Sequence, residues 1–157
     1  MKNNIVILFV FLVSNYSGQQ GYWQQEVDYK MEIDFNAKKN QFNGVQTLTY
    51  TNNSPDTLHK IFYHLYYNAF QPGSMMDVRS RNIPDPDPRV DDRISKLKKN
   101  EIGYHDIISL TEQEDSLQYN IEGTIMEVHL TRPLIPGMEM TFIMKFKSQV
   151  PVQIRRT

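Results

Sequence analysis

Four histidines, His59, His64, His105 and His129, are the side chains best suited to bind a metal or carry a proton. A helical zinc motif needs two imidazoles one turn apart with a glutamate between them, and no His-Glu-x-x-His run is present. His59 and His64 are separated by five positions on an expected strand and so face opposite sides. His129 lies two residues from Glu127 on one strand face, and that pair can approach a metal. Two ligands on one strand do not complete a coordination shell, so the four imidazoles read as partly solvated strand residues. Asp85, Asp87, Asp91 and Asp92 lack the Asp-x-Asp-x-Asp-Gly spacing of a calcium loop. Ser54, Ser74, Ser80 and Ser109 sit in no Gly-x-Ser-x-Gly elbow, and no glycine-rich loop is built to cradle phosphate. The chain contains no cysteine, which excludes disulfides, thiolate zinc sites and thiol nucleophiles. Two aromatic clusters, Tyr22 with Trp23 and Phe62, Tyr63, Tyr66 and Tyr67, suit either a sugar or peptide groove or ordinary cross-strand packing. No residue is therefore assigned a catalytic, cofactor-binding or metal-ligating role.

The elements that would position these side chains are mostly strands. Thr124 to Pro151 is the most informative stretch. Met126, Val128 and Leu130 alternate with Glu127 and His129, and Met140, Phe142, Met144 and Phe146 alternate with Thr141, Ile143, Lys145 and Lys147. A period of two marks strands with one oily face. Pro133, Pro136 and Gly137 lie between the arms, so the expectation is a hairpin of two paired antiparallel strands. A first strand is expected from Glu26 to Phe35, with Val27, Tyr29, Met31, Ile33 and Phe35 on the core side and charged residues in water. A second runs from Phe42 to Thr51, where Gly44 marks a bulge or a close backbone approach. A third, from Leu58 to Tyr67, is apolar or aromatic on both faces from Ile61 onward and is expected to be covered on both sides. Residues 74–87 read as a loop. Asp87 is then an N-cap with Pro88 at the first helical position, and Val90, Ile94 and Leu97 share one helical face. Tyr104–Leu110 and Ser116–Ile121 complete the strands. The expected fold is mostly β: an antiparallel sandwich or saddle of about seven strands with one short helix, over residues 22–157.

With 157 residues, 39% of them hydrophobic and 11% aromatic, the chain is sized for one packed domain. A net charge of -1 with no basic stripe argues against nucleic acid as a partner. Lys2 precedes the apolar run Ile5 to Val13, which is shorter than the roughly 20 residues that span a bilayer. Residues 1–19 are expected to be an export signal, giving a periplasmic or extracellular protein without a membrane span once the signal is removed.

Several phrases, in order, resemble the N-terminal domain of the aminopeptidase N-like (gluzincin) family of zinc metallopeptidases. They are Tyr29-Lys30-Met31-Glu32-Ile33-Asp34-Phe35, and Phe42-Asn43-Gly44 leading to Tyr50-Thr51-Asn52-Asn53-Ser54. Next comes His64-Leu65-Tyr66-Tyr67-Asn68-Ala69-Phe70, with Tyr67 where the family's phrase has proline. The last is Leu130-Thr131-Arg132-Pro133-Leu134-Ile135-Pro136-Gly137, followed by Val150-Pro151. The resemblance spans roughly Tyr22 to Pro151. It implies a β-saddle that borders the substrate cleft of an exported aminopeptidase. Zinc and hydrolysis would belong to a separate thermolysin-like catalytic domain, the domain's own partner. The family's N-domain glutamine for the substrate pocket matches no residue here, and none of the family's catalytic motifs does either. The ending at Arg155-Arg156-Thr157 suggests a fragment, with peptide as substrate of the whole enzyme. The alternative from another class is a secreted β-sandwich that binds carbohydrate or protein through exposed tyrosines.

Overall fold

The computed structural model describes residues 22–85 and 87–154, so the expected export signal at 1–19 lies outside the described residues. Two antiparallel sheets face each other. The larger has the order β1-β2-β8-β4-β5 and the smaller the order β3-β7-β6. The strands are β1 (Glu26–Asn36), β2 (Gln41–Thr51), β3 (Leu58–His64), β4 (Tyr104–Glu112), β5 (Asp115–Ser116), β6 (Gln118–Glu122), β7 (Ile125–Leu134) and β8 (Glu139–Gln149). The fold is thus the mostly-β antiparallel sandwich that the alternating patterns imply.

β8 shows why the sandwich holds. Met140, Phe142, Met144 and Phe146 point into the core at 2, 0, 4 and 8% exposure, while Thr141, Ile143 and Lys145 face out. Across the gap Ile61, Met126 and Val128 supply the opposing layer from the smaller sheet. Burying such side chains contributes roughly 1.5–3 kcal/mol each. Gly44 lies in unbroken register between Ile33 of β1 and Phe146 of β8. A Cβ there would come within 2.4 Å of the Phe146 ring, so the residue marks close packing rather than a bulge.

Four expectations are corrected. First, β7 and β8 do not form a paired hairpin. β7 pairs with β3 and β6, and β8 with β2 and β4. The turn between them is tied to the end of β2 instead: the Gly137 N–H donates to the Asn52 carbonyl at 2.7 Å, and the Asn52 N–H donates to Met138 at 3.0 Å. Two oily faces look the same in sequence whether they lie side by side in one sheet or opposed across a sandwich. Second, β1 does not bury its apolar row, and every residue of the strand is exposed. It is a sheet edge, paired with β2 alone among the described residues.

Third, β3 ends at His64 and is covered on one face only. Ile61 is buried, whereas Phe62 is 54% exposed, and a 3-10 turn follows at Tyr66–Ala69. β3 too is an edge strand. Fourth, the α-helix is α1 (Met75–Asn82), not 88–99. Ser74 caps α1 by accepting from the Asp77 N–H, and buried Asp77 is held by Arg81 at 3.0 and 3.1 Å and by the Gly73 N–H at 2.8 Å. Burial opposes the Asp77 charge, yet the Arg81 and Gly73 contacts keep its carboxyl below the usual range. Residues 88–96 instead form turns that end in a 3-10 segment, Ile94–Lys96. Asp91 adopts φ 39°, which breaks the helical run, but Val90 and Ile94 still reach full burial.

Candidate functional site

The histidines are dispersed. His59 is exposed. His64 stacks on Tyr66 with ring centroids 5.3 Å apart. His129 Nε2 lies 3.5 Å from Glu127, as shared strand-face placement implies, but Lys60 also engages Glu127 at 3.2 Å in the open. His105 is the structured member. Its Nδ1 lies 2.6 Å from Ser148 Oγ, its ring stacks on Tyr67 at 4.6 Å, and burial pushes its pKa below the ordinary histidine value. Among the described residues no three His, Asp or Glu side chains are grouped to hold a metal. The two-residue Glu127–His129 contact with a competing ammonium does not fit zinc.

The acidic and serine candidates have local duties. Asp87 accepts from the Arg89 backbone and guanidinium at 3.0, 2.9 and 2.8 Å. Asp92 pairs with Lys96, and Asp85 and Asp91 are exposed. Ser54 donates to the buried Asn52 side chain at 2.6 Å, and Asn52 ties β2 to Leu134 at the end of β7 at 2.9 Å. Ser74 is the α1 cap, Ser80 is buried in α1, and Ser109 is half-buried in β4.

The concavity with the most distinctive chemistry is a groove of about 350 Å3 between the free margins of the two sheets. β1 supplies Val27, Tyr29 and Met31, β2 supplies Gln46, Leu48 and Tyr50, and β3 supplies Ile61, Phe62, Tyr63 and His64, with Tyr66 following. Strand alternation builds it: odd positions of β1 and even positions of β2 share the inner face, as the register Tyr29↔Leu48 and Met31↔Gln46 requires. Two buried polar atoms in its lining, Gln46 Nε2 and the Tyr63 hydroxyl, have no hydrogen-bond partner among the described residues. Buried polar groups are ordinarily paired, because leaving one unmet costs roughly 1–3 kcal/mol. Burial pushes the Tyr63 phenol far up, with Tyr29 a smaller cause, so it stays a neutral donor and acceptor. Burial also raises the Tyr29 and Tyr50 phenols. The groove can hold an apolar body with a hydrogen-bonding tip.

Of the aromatic candidates, Phe62, Tyr63 and Tyr66 line this groove. Tyr67 belongs instead to the His105 stack, and Tyr22 and Trp23 stand exposed away from it. Sequence reasoning missed Gln46. The available signal was a polar residue at an inward position in the series Phe42, Gly44, Gln46, Leu48, Tyr50. A second concavity of about 670 Å3 lies between α1 and the outer face of the smaller sheet, with Met75, Arg79, Asn120 and Glu122 in its wall. Its other carboxylate, Glu127, is already engaged by Lys60.

No family model and no curated protein matches the sequence. Solved structures do match. An M1 zinc metallopeptidase from Deinococcus radiodurans superposes with a TM-score of 0.50 at 15% identity, over 87% of this chain and 24% of that one. A two-domain M1 zinc metallopeptidase mutant bound to L-arginine gives 0.50 at 16% identity, over 88% and 24%. The chain has the fold of a domain of M1 zinc metallopeptidases. It spans about a quarter of the length of those structures, and at this identity the fold is what is shared. The family suggested by Tyr29–Phe35 and the Pro-Gly turn is therefore also the family whose members share this backbone.

Proposed function

We propose that this chain is the substrate-cleft β-domain of an exported zinc aminopeptidase, and that zinc and peptide hydrolysis reside in a catalytic domain outside these residues. One observation carries the reading: nearly the whole described sandwich superposes on about a quarter of a zinc metallopeptidase. The order of family-like phrases along β1, β2 and the β7–β8 turn supports it independently. The dispersed histidines are consistent with a domain that borders a cleft, because they leave the chemistry to another part of the protein.

The test is direct. The 157-residue chain, purified with added zinc, should release no N-terminal amino acid from an aminoacyl fluorogenic substrate. The coding sequence beyond Thr157 should contain an open frame with His-Glu-x-x-His. Turnover by this chain alone, or a stop codon directly after Thr157, defeats the reading. Export is tested separately: residues 1–19 fused to alkaline phosphatase should give activity outside the cytoplasm. The aromatic lining of the inter-sheet groove favours a second reading, a free-standing module that binds carbohydrate or protein. A stop codon together with saturable glycan binding lost in Tyr66→Ala would select it.

A further inference from the structure

Sheet edges present unpaired backbone N–H and C=O groups, and proteins usually shorten, bend or cover them. Three of the four terminal strands are short: β5 has 2 residues, β6 has 5 and β3 has 7, and the part of β4 that β5 leaves uncovered is met by Asn68 at the His105 N–H and by Tyr119 at the Ile107 carbonyl. β1 has 11 residues, contains no proline, and pairs with β2 in unbroken register from Glu26 to Asn36. Among the described residues no strand pairs with its outer side. Its inner-face row, Val27, Tyr29, Met31, Ile33 and Phe35, is 40 to 57% exposed beside the groove that holds the unpartnered Gln46 amide and Tyr63 hydroxyl.

The other face of β1 identifies what fits. Glu26, Asp28, Glu32 and Asp34 stand there with Lys30 as the sole cation. Their cross-strand neighbours on β2 are Thr51, Thr49, Val45 and Asn43, which carry no charge. None of the four carboxylates has an ion-pair partner among the described residues. A strand added at the free edge would place its own side chains directly opposite them, where opposite charges attract and like charges repel. A second copy of β1 does not suit. In full antiparallel register two Asp28–Asp34 repulsions offset two Lys30–Glu32 attractions, and Glu26 meets Asn36. A slide of two residues one way opposes Glu26 to Asp34, Asp28 to Glu32 and Lys30 to itself, and a slide the other way opposes Glu32 to itself while its two Lys30–Asp34 pairs leave Glu26 and Asp28 without a cation. A slide of one residue would set the apolar row against the charged one.

We propose that the free edge of β1 is a strand-addition site for an extended peptide segment that alternates large apolar residues with lysine or arginine. Its apolar residues extend the Val27–Phe35 row and enter the inter-sheet groove, and its cations sit opposite the β1 carboxylates. Main-chain hydrogen bonds supply the attachment and the alternation supplies the selectivity. This goes beyond the reading above and does not depend on peptidase activity.

The probe is a ten-residue fluorescein-labelled peptide alternating lysine with valine and tyrosine, added to the 157-residue chain. Anisotropy should show saturable binding that weakens several-fold between low and high salt, because the charges are exposed. The same peptide with glutamate for lysine should bind at least ten-fold more weakly. Asp28→Lys with Asp34→Lys should reverse that preference, while slow amide exchange in β8 confirms the variant is folded. Amide exchange across 26–36 should slow on adding the lysine peptide. Absence of saturable binding, equal affinity for both peptides, or protection in the free chain of the outward-pointing β1 amides, those not bonded to β2, would overturn the proposal. So would protein-concentration-dependent dimerisation through β1. The peptide charge swap needs no protein variant, so misfolding cannot obscure the result.

Discussion

β1 and β8 are both 11 residues long, lie in one sheet and alternate oily with polar residues, yet they occupy opposite environments. In β8 the inward row Met140, Phe142, Met144 and Phe146 is 0 to 8% exposed, and in β1 the corresponding row is 40 to 57% exposed. β8 is flanked by β2 and β4 and roofed by the smaller sheet; β1 has β2 on one side only among the described residues, and its row faces the open groove rather than a packed roof. Alternation therefore decides which side chains share a face, and topology decides whether that face is covered. The central strand holds the sandwich together, and the edge strand leaves its apolar surface available for recognition.

The comparison is tested most severely by paired truncations. Phe142→Ala removes a fully buried ring and should cost about 3–5 kcal/mol in urea unfolding. Ile33→Ala, on a side chain 47% exposed, should cost under about 1.5 kcal/mol. Equal losses would mean that β1 is covered in solution and would remove the contrast.

Gly44 joins the two regions, and its substitution is expected to have the next largest effect. A Cβ there would lie 2.4 Å from Phe146 Cζ and 2.8 Å from Ile33 Cδ1, so Gly44→Ala overfills the seam between edge and centre. The expected loss is about 1–3 kcal/mol by chemical denaturation. Gly44→Ala combined with Phe146→Leu should lose less than the sum of the two single changes, since the ring is the obstacle. Strict additivity would show that the backbone moves aside and that edge and centre are not rigidly coupled.

Gly44 also shows what could be read from sequence. A glycine interrupting an alternating strand signals close approach, and it was legible because the signal is local. The strand limits of β1, β2 and β8 were legible for the same reason. Pairing was not, since Met126–Leu130 and Met140–Phe146 carry the same pattern whether adjacent or opposed. α1 was hidden because it buries Asp77 and Ser80 while exposing Met75 and Val78, the reverse of an amphipathic signature. Residues 88–96 misled because full burial of Val90 and Ile94 at i and i+4 is reached by turns, with Asp91 in a left-handed conformation. Of the groove, Phe62, Tyr63 and Tyr66 could be suspected from their clustering. Gln46 could not be weighed, because an orphaned amide exists only once two sheets enclose it.

The smallest expected effect is a slope with pH. His105 belongs to the central region: it lies opposite Ser148 in the β4–β8 register, and burial lowers its pKa. The folded protein therefore prefers the neutral ring, while the unfolded chain takes up a proton near the ordinary value of about 6.5. Its contribution is fully present above that value and is lost as pH falls from there through the lower folded value. Urea midpoints of the native chain should fall between pH 7.5 and pH 5.5 by more than those of His105→Gln, which cannot titrate. A native chain that gains stability relative to His105→Gln as the solution is acidified would mean that the ring is held as a cation. The Ser148 contact would then have the opposite polarity, and the centre of the sheet would be less dry than its packing indicates.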